Sequence, residues 1–259
     1  MSSQFNQYAE FYNLLYREKN YIDEAEYITK IIKKLLAPKS SPVTLLDLAC
    51  GTGKHIFHLE KMGFLVEGSD ISSNMITVAR ESAKSNGSKA AFYNYSFQDS
   101  HKIEKKYDVV ISMFSAMDYL TSMDDFLRTL KNISNLLTED GIFIFDYWNG
   151  NAVTRHYDPV KVIRKSDSNG ELLRISETNL DIVQQIATVK FSCMYFVDGK
   201  RIHDFTELHP MRYYFFQEMY NILNSNGFDV VYTSPFMKFD GPIDPYEWNI
   251  SVGLKKKGK

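Results

Sequence analysis

A chain of 259 residues with 44% hydrophobic and 24% charged side chains has the size and balance of one well-buried core with an insertion, not of two independent domains. A formal net charge of −2 supplies no basic field for nucleic acid, and no apolar run approaches the roughly 20 residues that span a bilayer. Cys50 and Cys193 lack metal-knuckle spacing and the start Met1-Ser2-Ser3-Gln4 lacks a signal pattern, so free thiols, no metal site and a cytoplasmic location are expected.

In chain order, Ile28, Ile31, Ile32, Leu35 and Leu36 fall at helical spacing opposite Lys30, Lys33 and Lys34, with Pro38 as a stop. The run Val43 to Cys50 has strand length and enters a glycine turn, followed by a helix through Phe57 and Leu59. The alternation continues with a strand at Phe64–Asp70, a helix near Asn74–Ser82, a strand at Ala90–Tyr95 and another at Asp108–Phe114. Phe126, Leu127, Leu130, Ile133 and Leu137 mark a helix, Glu139-Asp140-Gly141 a turn, and Ile142–Asp146 a buried strand.

Residues 151–214 change character. Period-two patterns at Val160 and Val162 and from Ile186 to Val197, punctuated by Asn169-Gly170 and Asp198-Gly199, are hairpin signals. Helix, stop and strand resume at Phe216–Leu223, Asn226-Gly227 and Phe228–Tyr232. A last strand alternates Trp248, Ile250, Val252 and Leu254, and Lys255-Lys256-Lys257-Gly258-Lys259 reads as a solvated tail. The expected class is α/β: a doubly wound, mostly parallel seven-stranded sheet from residues 1–150 and 215–259, with a small antiparallel β insertion, 151–214, after the fifth strand.

In such a sheet a ligand lies beyond the carboxyl ends of the strands. Gly51 and Gly53 permit a tight turn and close backbone approach, Asp47 can bind polar groups there, and Asp70 ends the second strand where a carboxylate can accept both hydrogen bonds of a ribose diol. A dinucleotide fingerprint would require glycine where Ile56 stands, and a P-loop would require glycine at Leu48 and Ser or Thr at His55. Both are excluded.

The segments Leu45-Leu46-Asp47-Leu48-Ala49-Cys50-Gly51-Thr52-Gly53 and Gly68-Ser69-Asp70-Ile71-Ser72-Ser73-Asn74-Met75 resemble the first and second motifs of class I S-adenosylmethionine-dependent methyltransferases. Asn221–Phe228 is similar to that family's helix before the sixth strand. The resemblance implies a Rossmann-like enzyme using S-adenosyl-L-methionine, with Asp70 on the ribose, Gly51 and Gly53 near the methionine part and Met75 against the adenine. Asp47, Ala49, Ile71, Ser96, Phe97 and Met113 complete the expected donor contacts. The family's third motif carries an aspartate after a glycine. This chain reads Tyr95-Ser96-Phe97-Gln98-Asp99 instead, which leaves Ser96 or Asp99 for the adenine.

Methyl transfer from a sulfonium needs alignment and exclusion of water more than covalent help. Phe11, Tyr12, Tyr16, the loop Met113–Tyr119 and Trp148 are suited to enclose a small-molecule acceptor. Phe11–Tyr16, Ile111–Ser115 and His203–His209 look like segments of the nucleotide-sugar N,N-dimethyltransferases of amino sugars. That likeness implies an insertion that contributes to the acceptor cleft and to homodimer contacts, with Tyr16 near the reacting amine. Arg212 departs from that group's apolar tendency. His203 and His209, six apart in an inferred strand, should share a face, and either can accept a proton there or be an ordinary strand histidine. O-methylation of a hydroxylated metabolite and a non-catalytic donor-binding module are the competing functions.

Overall fold

The computed structural model describes residues 8–258; Met1–Gln4 and Lys259 lie outside them. Two helices open the chain, α1 (Tyr8–Leu15) and α2 (Tyr21–Leu35). Helix α2 follows local chemistry closely. The Asn20 side chain accepts from Asp23 N, Asp23 and Glu24 occupy the first turn and Lys33 and Lys34 the last, so cap and dipole both favour helix where the apolar stripe begins and ends. There follow β1 (Thr44–Leu48), α3 (Lys54–Lys61), β2 (Leu65–Ser69), α4 (Ser73–Asn86), β3 (Phe92–Tyr93), β4 (Tyr107–Ser112), α5 (Met123–Leu136) and β5 (Leu137–Trp148). A short α6 (Gly150–His156) leads into β6 (Val160–Ser166), β7 (Glu171–Asp181), β8 (Ile186–Val197) and β9 (Lys200–Arg212), and α7 (Phe216–Ser225), β10 (Phe228–Pro235) and β11 (Asn249–Lys256) complete the chain.

Seven strands form one sheet in the order β10-β11-β5-β4-β1-β2-β3. The five from β3 to β5 are parallel, and β11 lies antiparallel between β5 and β10. Successive residues of the central strands feed opposite faces, as period two requires. Leu45, Val109, Ile111, Ile142 and Ile144 pack with α2, α3 and α4, while Leu46, Val110, Phe143 and Phe145 pack with α5 and α7. Both faces are covered, the doubly wound arrangement expected from the alternating pattern.

Strands β6–β9 form a separate antiparallel sheet. The hairpin at Asp198-Gly199 is a two-residue turn with both residues at positive φ, joining the paired Val197 and Lys200. The one at Asn169-Gly170 is a four-residue loop in which Asp167 Oδ1 accepts from the backbone N–H of both. Helix α1 lies on the inner face of this sheet, where Phe11 and Leu15 pack against Leu172, Cys193 and Phe205.

Three local expectations are corrected. Glu139–Gly141 does not break helix from strand: the backbone is already extended at Leu137, and the surplus residues are accommodated inside β5, with Tyr107 pairing Leu137 and Val109 pairing Ile142. Lys255 and Lys256 are not tail, because both pair in β11. The insertion begins with a helix, α6, rather than a strand: the Asn149 side chain caps Asn151 N, and Ala152 and Val153 are buried. Cys50 and Cys193 are free and buried. Among the described residues no helix is long and apolar enough to cross a membrane.

Candidate active site

A cavity of about 550 Å³ opens at the carboxyl ends of β1, β2 and β4, between the large sheet, the N-terminal helices and the inner face of the small sheet. At its base the chain leaves β1 through a tight turn in which Ala49, Gly51 and Gly53 have φ of +67°, +54° and +78°. The turn is held by its neighbours. Ala49 N and Cys50 N both donate to Ser69 O at the end of β2, at 2.7 and 3.0 Å. Asp70 Oδ2 accepts from Gly51 N at 2.9 Å and Oδ1 from Ser72 N at 2.8 Å, so one carboxylate joins the turn to the start of α4. Each carboxylate oxygen has a second lone-pair site, which leaves acceptor capacity toward the cavity. Burial raises the Asp70 carboxyl above its ordinary value, opposed by these two amide bonds.

Asp47, behind the turn, lines the cavity and is otherwise buried, and among the described residues its Oδ2 has no hydrogen-bond partner. Loss of water and the nearby Asp70 charge push its pKa up to about 8. A buried carboxylate in this state is stabilised by an arriving cation. Across the turn, Lys19 and His55 both meet Glu24, at 3.1 and 2.7 Å. Burial alone would raise the Glu24 carboxyl, but the His55 hydrogen bond and the Lys19 charge outweigh it and hold it below the ordinary range. The Lys19 ammonium lies 3.5 Å from the centroid of the Phe114 ring and 4.8 Å from that of Tyr21, a cation stacked on aromatic faces at the cavity wall.

One end of the cavity is lined by Ile71, Met75, Ser96, Phe97 and Gln98. The other is aromatic, with Tyr12, Tyr16, Phe114, Tyr119, Trp148, Phe191 and Trp248 contributed by α1 and the turn after it, the loop after β4, β5, β8 and the segment before β11. The loop after β4 is shaped by two consecutive non-glycine residues at positive φ, Phe114 at +65° and Ser115 at +55°. Buried Asp146 holds it there: its Oδ2 accepts from Ser115 N and Oγ, each at 3.1 Å, and from Asn249 Nδ2 at 2.7 Å. Asp118 similarly fixes the end of β5 by accepting from Trp148 N at 2.8 Å. From the small sheet, Arg174 reaches the Tyr16 hydroxyl at 3.4 Å, and His209 Nδ1 lies 2.9 Å from that of Tyr119.

The family model for a methyltransferase domain matches residues 39–227, most of the chain and every element at the base of the cavity. The chain belongs to this methyltransferase-domain family. It is 29% identical over 143 residues to the dTDP-3-amino-3,4,6-trideoxy-alpha-D-glucopyranose N,N-dimethyltransferase of Streptomyces venezuelae, an alignment covering 54% of this chain and 57% of that one. The chain thus spans little more than half the length of that curated relative. An S-adenosylmethionine-dependent methyltransferase from Clostridium acetobutylicum superimposes with a TM-score of 0.82 at 21% identity, covering 98% of this chain and 99% of that one. The corresponding figures for a sugar N-methyltransferase from Streptoalloteichus sp. are a TM-score of 0.77, 16% identity, 96% and 93%. These two likenesses include the small sheet as well as the large one. The protein carries a methyltransferase domain, and its fold is that of a solved S-adenosylmethionine-dependent methyltransferase.

For this methyltransferase, Tyr16, Asp47, Ala49, Gly51, Asp70, Ile71, Met75, Ser96, Phe97 and Met113 all line the one cavity. Gly53 does not: it caps α3, and a Cβ there would meet Phe57 and Phe92 at 3.2 Å, so its constraint is packing and positive φ. Asp99 does not line it either. Its carboxylate accepts from Ser96 Oγ at 2.8 Å and pairs with Lys102 at 2.7 Å, which places Ser96, not Asp99, at the cavity wall. His203 and His209 do share the inner face of β9, but His203 stacks among Phe11 and Phe205 away from the cavity. His209 is fully buried behind Tyr119 and Phe191. Lys19, Glu24, His55, Gln98 and Asn249 escaped the sequence reading, because nothing in their own neighbourhoods marks them, and Asp146 escaped it as well. Only the pairing of Asp118, Asp146 and Asp47 with apolar strand or loop residues gave a signal, that of a carboxylate inside an otherwise buried run.

Proposed function

We propose that this chain methylates the amine of a nucleotide-linked amino sugar. The observation that carries the reading is one continuous cavity that passes from the carboxylate-braced glycine turn into a chamber of aromatic rings roofed by residues of 151–214. The identity to a dTDP-amino-sugar N,N-dimethyltransferase supports it. When bound, S-adenosyl-L-methionine supplies a methyl group already activated by a positively charged sulfur. Asp47 would hold the donor's ammonium, which answers its unpartnered buried oxygen, and Lys19 its carboxylate. Asp70 would take the ribose diol with its remaining lone pairs, and Met75 and Phe97 would enclose the adenine, with Ser96 and Gln98 at its polar edge.

At the other end Tyr12, Tyr16, Phe114 and Trp148 exclude water and offer flat apolar faces to a sugar ring. Tyr16 is positioned by Phe114, edge-to-face at 5.3 Å, and by Arg174. Arg174 donates to its oxygen, which holds the hydroxyl at the cavity wall beside the acceptor. Incubation with S-adenosyl-L-methionine and a panel of dTDP-linked amino sugars, free amino sugars and hydroxylated metabolites, read by product mass, tests the assignment. Methylated nitrogen on the nucleotide-linked amines is expected. Turnover confined to hydroxyl groups, or tight donor binding with no turnover on any acceptor, overturns it.

A further inference from the structure

We propose that Trp148 and Trp248 form the corner against which the sugar ring of the acceptor lies, with Trp248 as a specificity-determining residue and Asn149 as the residue that positions it. This deepens the amine-methylation reading and rests on it. The two indoles meet edge to face, their centroids 5.5 Å apart and their planes at 73°, and both line the cavity. Each is half-buried. They pack on the small core of Val153, Ala187 and Tyr213 and border the cavity as well.

The corner is assembled from two distant places in the chain. Trp148 ends β5, and Trp248 ends the irregular segment 236–248 that joins β10 to β11, with Asn249 paired to Trp148 across the sheet. An irregular segment of that length inside a compact domain is uncommon, and when ordered it usually carries function. Its first half is tied to neighbouring elements: Lys34 of α2 pairs with Asp240 at 2.7 Å, and Asp240 N donates to the Tyr232 hydroxyl at 3.2 Å. Its second half converges on one buried side chain. Asn149 Nδ2 donates to the carbonyls of Glu247 at 3.0 Å, Pro245 at 3.3 Å and Asp244 at 3.5 Å, and Asn149 N donates to Trp248 O at 2.8 Å. The same side chain accepts from Asn151 N at 3.2 Å and caps α6. Asp118 braces Trp148 by accepting from its N–H at 2.8 Å, and Asp146 braces Asn249 by accepting from its Nδ2 at 2.7 Å. The backbone beneath both rings is thus held.

What such a corner can bind follows from its chemistry. An indole offers a flat apolar face, and a neighbour set nearly perpendicular to it closes one edge. A saturated sugar ring has an apolar C–H face that gains by leaving water for such a surface. Seated in the corner, the ring has both its face and its edge fixed, which is what alignment of its amine with the donor's methyl group requires. Trp248 touches the acceptor in this arrangement. Asn149 acts through it.

The chain has two tryptophans, and both are in the corner, so the tryptophan emission of the wild-type protein reads this end of the cavity. In protein loaded with S-adenosyl-L-homocysteine, the acceptor that the wild type methylates should change that emission saturably, with a midpoint equal to its calorimetric Kd. Kinetics give the second reading. Trp248→Leu should raise the acceptor KM about tenfold and leave the donor Kd within about twofold, and Trp248→Phe, which keeps a flat ring, should recover most of the loss. Asn149→Ser separates clamp from cap, because serine still caps α6 and does not reach the three carbonyls. It should raise the acceptor KM by a similar factor and shift the tryptophan emission of the free protein, again with donor Kd unchanged. Unaltered emission at calorimetric saturation, or a wild-type acceptor KM in Trp248→Leu, overturns the proposal while amine methylation stands. Failure of the amine reading shows in the wild type itself, as product without N-methylation, and takes this proposal with it.

Discussion

The two ends of the cavity are built in different ways. The end we assign to the donor is made largely from backbone and from residues close in sequence: Asp47 to Gly51 and Asp70 to Met75 follow two neighbouring strands, and Asp70 bonds directly to Gly51 N. The end we assign to the acceptor draws side chains from α1, the loop after β4, β5, β8, β9 and the segment before β11, and its shape is set by buried carboxylates such as Asp146 that do not line the cavity. A site made of backbone tolerates changes in surrounding side chains but not in its own dihedrals. A site made of converging side chains can be re-specified one residue at a time. Substitutions at the first end should therefore act on donor affinity, and at the second on turnover.

The harshest test is Gly51→Val. A β-branched residue at φ +54° is strained by roughly 1–3 kcal/mol, and its Cβ, which meets no protein atom within 4 Å, would occupy the space beside the turn where the donor approaches. Donor affinity is expected to fall by more than about 100-fold, some 2.7 kcal/mol, with a cooperative melt retained at lower temperature. Calorimetry on the folded variant reads this, and near-wild-type affinity would make the turn a mere connector. Asp70→Ala comes next, with an expected loss of about 1–3 kcal/mol in donor binding, since it removes a charged acceptor and frees the N–H groups of Gly51 and Ser72. An unchanged donor Kd would remove Asp70 from the site.

Tyr16→Phe tests the other end. Turnover at saturating donor is expected to fall about tenfold to a hundredfold, or roughly 1.4–2.7 kcal/mol in the barrier, with donor Kd unchanged, because the ring still packs on Phe114 and only the hydroxyl is lost. A lowered melting temperature with wild-type turnover would show a packing residue.

The gentlest test is pH. The Asp47 carboxyl, raised to about 8 by burial and by Asp70, binds a proton in the folded protein over a range where the unfolded chain, with a pKa near ~3.9, has lost it. Its contribution to stability is therefore complete below pH ~3.9 and declines as pH rises toward 8. Asp47→Asn should flatten that slope in denaturant titrations of the donor-free protein. Donor binding should release up to one proton near neutral pH, measurable by calorimetry in buffers of different ionisation enthalpy. Proton uptake on binding would contradict the role given to Asp47.

The order of strands and helices could be read from residue periodicity because each element buries one face. Ile142 to Phe145 feed the two cores alternately, and the caps at Asn20 and Ser72 stand where the apolar stripes start. The glycine turn and Asp70 could be read for the same reason: their chemistry is local, set by dihedrals and by residues at strand ends. The turn at Glu139–Gly141 was misread because three polar residues inside a strand look the same in sequence whether they bulge from a ladder or end it, and the pairing with β4 decides between them.

Tertiary structure alone placed His55 against Glu24 and Lys19 over Phe114, set Asp146 under Ser115, and joined Tyr119 to His209 across 90 residues of chain. It also separated His203 from His209, two residues with equal claims in the strand pattern, by laying α1 over one end of β9 and the cavity near the other. The sequence by itself determined where backbone must bend and which faces must be buried, since those follow from dihedral preference and hydrophobic period. Which side chains from distant elements meet was decided by the packing of one sheet over another, and no local pattern encodes that.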